Sequence, residues 1–194
     1  MVVLPLVLAL AAISACKDGR KADSPPGVVD SAVPRGIALR RFQQAVPQAD
    51  TLATPFHHRD SLVAAFIDRL QRNDTTALRT MALNASEFGW LYYPTTPQGL
   101  PPYSLNVDLM WFLTYERSGI GLARMLTQRG GQPFNYAGYE CDERASKEGA
   151  NTVWGPCRIR RRGPDGKIAT ERLFGLIIER DGRYKFVSFA NDFD

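Results

Sequence analysis

Leu173-Phe174-Gly175-Leu176-Ile177-Ile178-Glu179-Arg180-Asp181-Gly182-Arg183-Tyr184-Lys185-Phe186-Val187-Ser188-Phe189-Ala190, near the C-terminus, decides the fold class. Asp181-Gly182 stands between two runs rich in β-branched and aromatic residues. A two-residue Asp-Gly loop signals a hairpin, because the turn that matches strand twist needs positive φ at both central residues. With that turn, Phe174 pairs with Phe189 and Leu176 with Val187 on one face. On the other face Ile177 pairs with Phe186 and Leu173 with Ala190. Both faces are apolar, whereas a sheet with one face in water alternates. Each face therefore needs a cover. A helical half can supply one. The second is left to residues 36–46 folding back, or to a second copy of the chain in a homodimer.

Upstream of the hairpin the period-two pattern continues. Strands are expected near residues 134–143, 151–162, 168–179 and 184–190, with turns at Lys147-Glu148-Gly149-Ala150, Gly163-Pro164-Asp165-Gly166 and Asp181-Gly182. If the first hairpin is centred on Gly149, Cys141 and Cys157 lie directly opposite each other, close enough for a bridge. The alternatives are free core cysteines or metal ligands. A metal would need further ligands, and His57 and His58 are the only histidines and are distant in sequence. No metal or cofactor is expected.

The chain between residues 59 and 130 reads as helical. Leu62, Phe66 and Leu70 recur at spacing four with Val63 and Ile67 beside them, behind Asp60 as an N-cap. Asp74 can cap a second helix carrying Leu78 and Met81. Residues 94–102 hold four prolines and read as a loop. Ser104 opens a longer helix with Val107, Met110 and Trp111. Gly119 and Gly121 are expected to weaken or break it, and Gly130-Gly131 to stop it. Helices followed by an antiparallel meander make an α+β domain, placed at residues 59–194.

The N-terminus carries an address. Residues 2–14 are apolar or small, and the first charge is Lys17. Thirteen residues of helix span about 20 Å, short of a hydrocarbon core of about 30 Å, so the run reads as a secretory signal. Ile13-Ser14-Ala15-Cys16 resembles the lipobox of bacterial lipoproteins. That resemblance implies cleavage after residue 15, lipid on Cys16, and a place in the bacterial cell envelope on the inner or outer membrane. Only Met1 and Val2 precede the apolar run, without the basic residues usual in that family. Residues 16–58 are expected to be a tether with a short helix at 36–46, since residues 17–34 are too polar to offset ordering entropy.

The run Leu70-Gln71-Arg72-Asn73-Asp74-Thr75-Thr76-Ala77-Leu78, a later helix and the closing hairpin resemble the NTF2-like (cystatin-like α+β) superfamily over residues 59–194. The resemblance implies a curved sheet wrapping a helix into a cone with an apolar pocket. Residues 86–130 depart from it, being aromatic, Pro-rich and helical where that family has an early hairpin. The superfamily hosts enzymes and binding modules alike, so it leaves function open.

Three groups are candidates for a site. Trp90, Tyr92, Tyr93, Trp111 and Tyr115 could stack on an apolar ligand or sugar, or simply fill the core. Asp108 and Glu116, about 12 Å apart along one helix, could supply a pocket carboxylate for proton transfer with a tyrosine, or be exposed helix charges. Arg158, Arg160 and Arg162 share one face of a strand and could bind phosphate or an anionic envelope polymer, or be a solvated sheet face near Asp165, Glu171, Glu179 and Asp181. An exposed Trp90 and Tyr93 beside that row would mark wall-polymer binding. A net charge of +4, from 24 basic and 20 acidic residues, is too small for a nucleic-acid footprint. With 44% hydrophobic residues the chain can build a core. The expected function is therefore a membrane-anchored, non-enzymatic binding or accessory domain. Its partner would be an envelope protein, a polymer or a small apolar ligand. The alternative is an NTF2-like dehydratase or isomerase.

Overall fold

The computed structural model describes residues 33–142 and 144–191. The signal segment 1–15, Cys16 and tether residues 17–32 lie outside the described residues. The fold is α+β: α1 (Arg35–Gln44), α2 (Arg59–Gln71), α3 (Thr75–Thr80), α4 (Ala85–Glu87) and α5 (Val107–Arg129) precede seven short strands. These are β1 (Tyr136–Cys141), β2 (Ser146–Glu148), β3 (Asn151–Trp154), β4 (Cys157–Arg162), β5 (Ile168–Glu171), β6 (Ile177–Arg180) and β7 (Arg183–Phe186).

The expected four-stranded meander is present, but broken into two sheets, β2-β3-β6-β7 and β1-β4-β5. The run read as one strand at 151–162 divides at Gly155-Pro156. Gly155 has φ 142°, a left-handed conformation that only glycine adopts readily, and a Cβ there would lie 2.7 Å from Leu176 Cδ2. The run at 168–179 divides at a bend through Phe174 and Gly175. Across the Asp181-Gly182 turn, Ile177 pairs with Phe186, the register expected from the turn. The face assignment changes beyond it. Phe174 and Phe189 lie on the same side as Ile177 and Phe186, because the chain bends at residues 174–175 and 187 instead of continuing to alternate. Cys141 pairs with Cys157 between β1 and β4, and the two are disulfide-bonded with Cα atoms 4.0 Å apart.

Two apolar layers flank the four-stranded sheet. On one side Phe66 of α2 is the hub, its ring centroid 5.4 Å from Phe174, 5.3 Å from Phe186 and 6.0 Å from Phe189. Leu122 and Met125 of α5 close this layer. On the other side Val153, Ile178 and Val187 meet Phe42 of α1, Leu52, and the aromatic turn after α4. The chain thus covers its own second sheet face, without calling on a second copy. Leu52 is fully buried. Backbone bonds from Tyr184 N to Phe56 O and from Leu83 N to Phe186 O stitch the same segments to β7. Residues 35–58, expected as tether, therefore belong to the folded body, and its boundary moves from 59 to 33. Of the two covers considered for the second sheet face, the fold-back of residues 36–46 is the one present, and Leu52 beyond it joins the same layer although residues 47–58 are polar.

Helix limits differ in three places. His58, not Asp60, stands at the α2 N-cap, and Asp60 instead accepts a bond from Tyr139 Oη at 2.7 Å. Asn106, not Ser104, caps α5, accepting from Asp108 N and Leu109 N. The helix also runs unbroken through Gly119 and Gly121. At Gly121 a Cβ would sit 1.9 Å from Phe189 O, so glycine here lets the C-terminal segment cross close to the helix. Asp74 caps α3 as expected, accepting from Ala77 N.

Candidate functional site

A groove of about 420 Å³ lies beside α5. Its floor is apolar: Ala82, Leu83 and Val187 from the stitched segments, with Trp111 and Leu122 from the helix. The helical period of α5, packed on the core through Met110, Leu122 and Met125, turns Trp111 and Leu122 inward and leaves Tyr115 and Glu116 at the rim. Trp111 is half-buried and packs on Phe88 at 5.2 Å and on Tyr115 at 5.7 Å between ring centroids. The groove is open, not a closed cone interior.

Its polar groups do not form a catalytic set. Ser118 Oγ accepts a hydrogen bond from Phe189 N at 3.0 Å, and Thr114 Oγ1 donates to Met110 O at 2.8 Å. Both hydroxyls hold structure. Tyr115 is 59% exposed and Glu116 lies in water at the rim. Arg79 stands on the opposite wall with no ion pair among the described residues. Asp108 is exposed in the first turn of α5 and does not line the groove.

The other expected aromatic residues belong to the core. Tyr92 and Tyr93 are buried, with Tyr93 Oη donating to Leu105 O at 2.7 Å, and Trp90 is half-buried. The full burial of Tyr93 removes the wall-polymer arrangement that required it on the surface beside the arginines.

Arg158, Arg160 and Arg162 are exposed on one face of β4, as the alternation implies. The acids expected to balance them point elsewhere. Glu171 receives Arg129 at 2.7 Å and also Arg161, the inward arginine of the same strand. Burial pushes the Glu171 carboxyl up, but hydrogen bonds from the two guanidiniums outweigh it and hold the group below its ordinary value. Asp165 faces Lys167, and Glu179 caps the hairpin turn through Gly182 N.

Two charged features escaped sequence reasoning. Glu87 and Lys185 form an ion pair inside the core, and Glu87 also accepts from Ala53 N and Asn84 N. The signal was present in Asn84-Ala85-Ser86-Glu87, a capping-box spacing in which the cap side chain and the fourth residue bond reciprocally. The second is Glu148, buried on β2, whose Oε2 has no hydrogen-bond partner among the described residues. Burial raises its carboxyl, against hydrogen bonds with Ser146 and Thr96. Burial likewise raises the phenol of Tyr92, which shares the Thr96 hydroxyl and feels the Glu148 charge.

Among the described residues no group of three His, Cys, Asp or Glu side chains could hold a metal ion. None of their helices is long and apolar enough to cross a membrane. Comparison with family models, curated proteins and solved structures finds no match to the chain.

Proposed function

We propose that the chain is a lipid-anchored protein of the bacterial cell envelope whose folded domain is a non-enzymatic binding module, holding an apolar or amphiphilic ligand in the groove along α5. The observation that carries this reading is the groove itself. It has an apolar floor, hydroxyls already engaged in backbone bonds, and Arg79 on one wall, a suitable partner for an anionic head group. The lipobox-like tetrad ending at Cys16 supplies the address, and two or three acyl chains would hold the domain stably at a bilayer.

An NTF2-like enzyme would need a desolvated carboxylate beside a tyrosine, inside a cavity that admits substrate. Glu116 and Tyr115 share the groove but stand at its open rim. Glu148 and Tyr92 are desolvated neighbours, but neither lines the groove. The binding module is therefore favoured.

Mass spectrometry of protein taken from the membrane fraction tests both parts. The N-terminal peptide should begin at acylated Cys16, and an organic extract should contain an amphiphile in proportion to protein. A Cys16→Ser chain that is still processed and membrane-bound would contradict the address. A clean extract, together with failure to bind any apolar probe, would contradict the ligand.

A further inference from the structure

Strand β4 ends beside a pocket of about 160 Å³ that shares no lining residue with the groove. Arg129 from the last turn of α5, Gln132 and Asn135 from the segment after it, Arg161 and Arg162 from β4, and Pro164 from the following turn line it. Three arginines therefore border one small concavity, and a single carboxylate, Glu171, answers them. Asp165 in the adjacent turn is held by Lys167. Three arginines and Lys167 against Glu171 and Asp165 leave an excess of two positive charges around the pocket.

The geometry gives these arginines different tasks. Arg129 grips Glu171 with a two-pronged fork, Nε on one oxygen at 3.0 Å and Nη2 on the other at 2.7 Å. That fork alone engages both carboxylate oxygens. Arg161 adds only its Nε, on the oxygen that Arg129 Nη2 already holds, and its two terminal nitrogens have no hydrogen-bond partner among the described residues. The Arg161 side chain is mostly buried, so it is held in place before a ligand arrives and its charge is weakly screened. Arg162 has no ion pair among the described residues, and its Nη1 donates to Gly166 O. The negative end of the α5 dipole lies beside this pocket, and Arg129 Nη1 on Gln128 O with Gly130 N on Leu126 O answers it.

We propose that this pocket is an oxyanion site for a phosphate monoester, with the terminal edge of Arg161 as its fork, Arg162 beside it, and Glu171 with Arg129 as the clamp that positions Arg161. A guanidinium edge presents two parallel donors to two phosphate oxygens. A phosphate monoester carries close to two negative charges at neutral pH, matching the local excess, whereas a carboxylate carries one. Arg158 and Arg160, exposed along the same strand, extend the positive field toward the pocket and speed encounter without touching the ligand. A soluble phosphate monoester and phosphatidic acid in a membrane present the same group. The site does not depend on the ligand assigned to the groove.

Isothermal titration of the chain from residue 17 onward, which retains the whole folded body from residue 33, with glycerol 3-phosphate at low ionic strength tests the proposal. Wild type should bind one equivalent per chain, more weakly as salt rises. Arg161→Lys keeps a charge for Glu171 but removes the fork, and should weaken binding about tenfold or more. Gln132→Glu, a nearly isosteric change at an exposed position on the pocket wall, should weaken it as much by repulsion, with the melting curve retained. Arg40→Gln, which shifts net charge equally but on the exposed side of α1, should bind like wild type. Co-sedimentation with phosphatidic acid vesicles, set against phosphatidylcholine vesicles, separates the sources. Retention that Gln132→Glu abolishes assigns the phosphate to a lipid head group, and glycerol 3-phosphate binding without retention assigns it to a soluble ligand. Binding of neither probe overturns the proposal. So does binding that folded Arg161→Lys and Gln132→Glu proteins keep, or that Arg40→Gln loses to the same degree.

Discussion

Lys185 Nζ lies 2.9 and 2.7 Å from the two carboxylate oxygens of Glu87, and the residues are 2% and 1% exposed. Glu87 is simultaneously the acceptor for Ala53 N and Asn84 N, so one carboxylate ties three segments together: residue 53, the start of α4 and strand β7. Removing one partner strands a buried charge, whereas removing both need not destabilise to the same degree. Lys185→Met should therefore lose roughly 3–5 kcal/mol in urea unfolding. Adding Glu87→Gln should recover part of that loss. Equal, additive losses in the double variant would show that the pair is not energetically coupled.

Two other carboxylates should respond to pH with opposite sign. Glu171 is held below its ordinary value by Arg129 and Arg161, so the folded state favours its charged form. Its contribution is present above the ordinary carboxylate range and is lost as pH falls through the depressed value. Glu148 is raised by burial, so its charged form is disfavoured in the fold and the penalty is complete only above the raised value. Glu148→Gln should consequently stabilise the domain at neutral pH, with the gain shrinking on acidification. Glu171→Gln should destabilise it at neutral pH, and that loss should shrink as acid removes the wild type's advantage. Thermal melts across the acidic range check both, and parallel curves for the two variants would contradict the assignment.

The disulfide joins the paired strands β1 and β4 and closes a loop with a sequence separation of 16. In the chain-entropy account a loop of this size contributes about 3 kcal/mol. The Cys141→Ser, Cys157→Ser double variant should lose stability of that order. Non-reducing peptide maps of the folded protein should show the two cysteines joined. Two alkylatable thiols in folded protein would contradict the pairing.

Gly119 and Gly121 have opposite predicted outcomes although they sit two residues apart on α5. A Cβ at Gly119 meets nothing within 4 Å, while one at Gly121 collides with the Phe189 carbonyl. Gly119→Ala should stabilise by up to about 1 kcal/mol, the helix-propensity difference. Gly121→Ala should destabilise and loosen the C-terminal segment. Unfolding curves decide it, and a shared sign would contradict the close crossing of residues 187–189 over the helix.

These glycines also show where sequence reading succeeds and where it stops. Local rules found what local rules determine: the Asp181-Gly182 hairpin, the Asp74 cap, the α2 stripe and the opposition of Cys141 and Cys157 about Gly149. Gly119 and Gly121 looked like helix breakers because propensity alone makes them so. The helix persists because its packing outweighs roughly 1 kcal/mol per glycine. The split of the meander into two sheets falls at Gly155-Pro156, where the chain passes close to Leu176 in the segment before β6, a proximity no periodicity records. The candidate site was legible in part. Trp111, Tyr115 and Glu116 line the groove, but its other wall, Arg79 to Leu83 and Val187, is brought there by the stitching of β7 to the helical half. The burial of Tyr92 and Tyr93 matches the core-filling reading of these aromatics, and residues 36–46 fold back as one of the two covers considered, while the part played by Leu52 and the rest of 47–58 was not visible in their polar composition.

Binding in the groove is the central claim, and Gly119 offers direct access to it. The residue lines the groove, and its added side chain has open space to enter. Titrating the chain from residue 17 onward with a fluorescent fatty-acid probe, while following tryptophan emission, to which Trp111 in the groove contributes, measures occupancy. The account predicts saturable binding at one probe per chain for wild type and for Gly119→Ala. It predicts abolished binding for Gly119→Trp, whose indole fills the groove, with the melting curve retained. Saturable binding that survives unchanged in a folded Gly119→Trp protein would contradict the account.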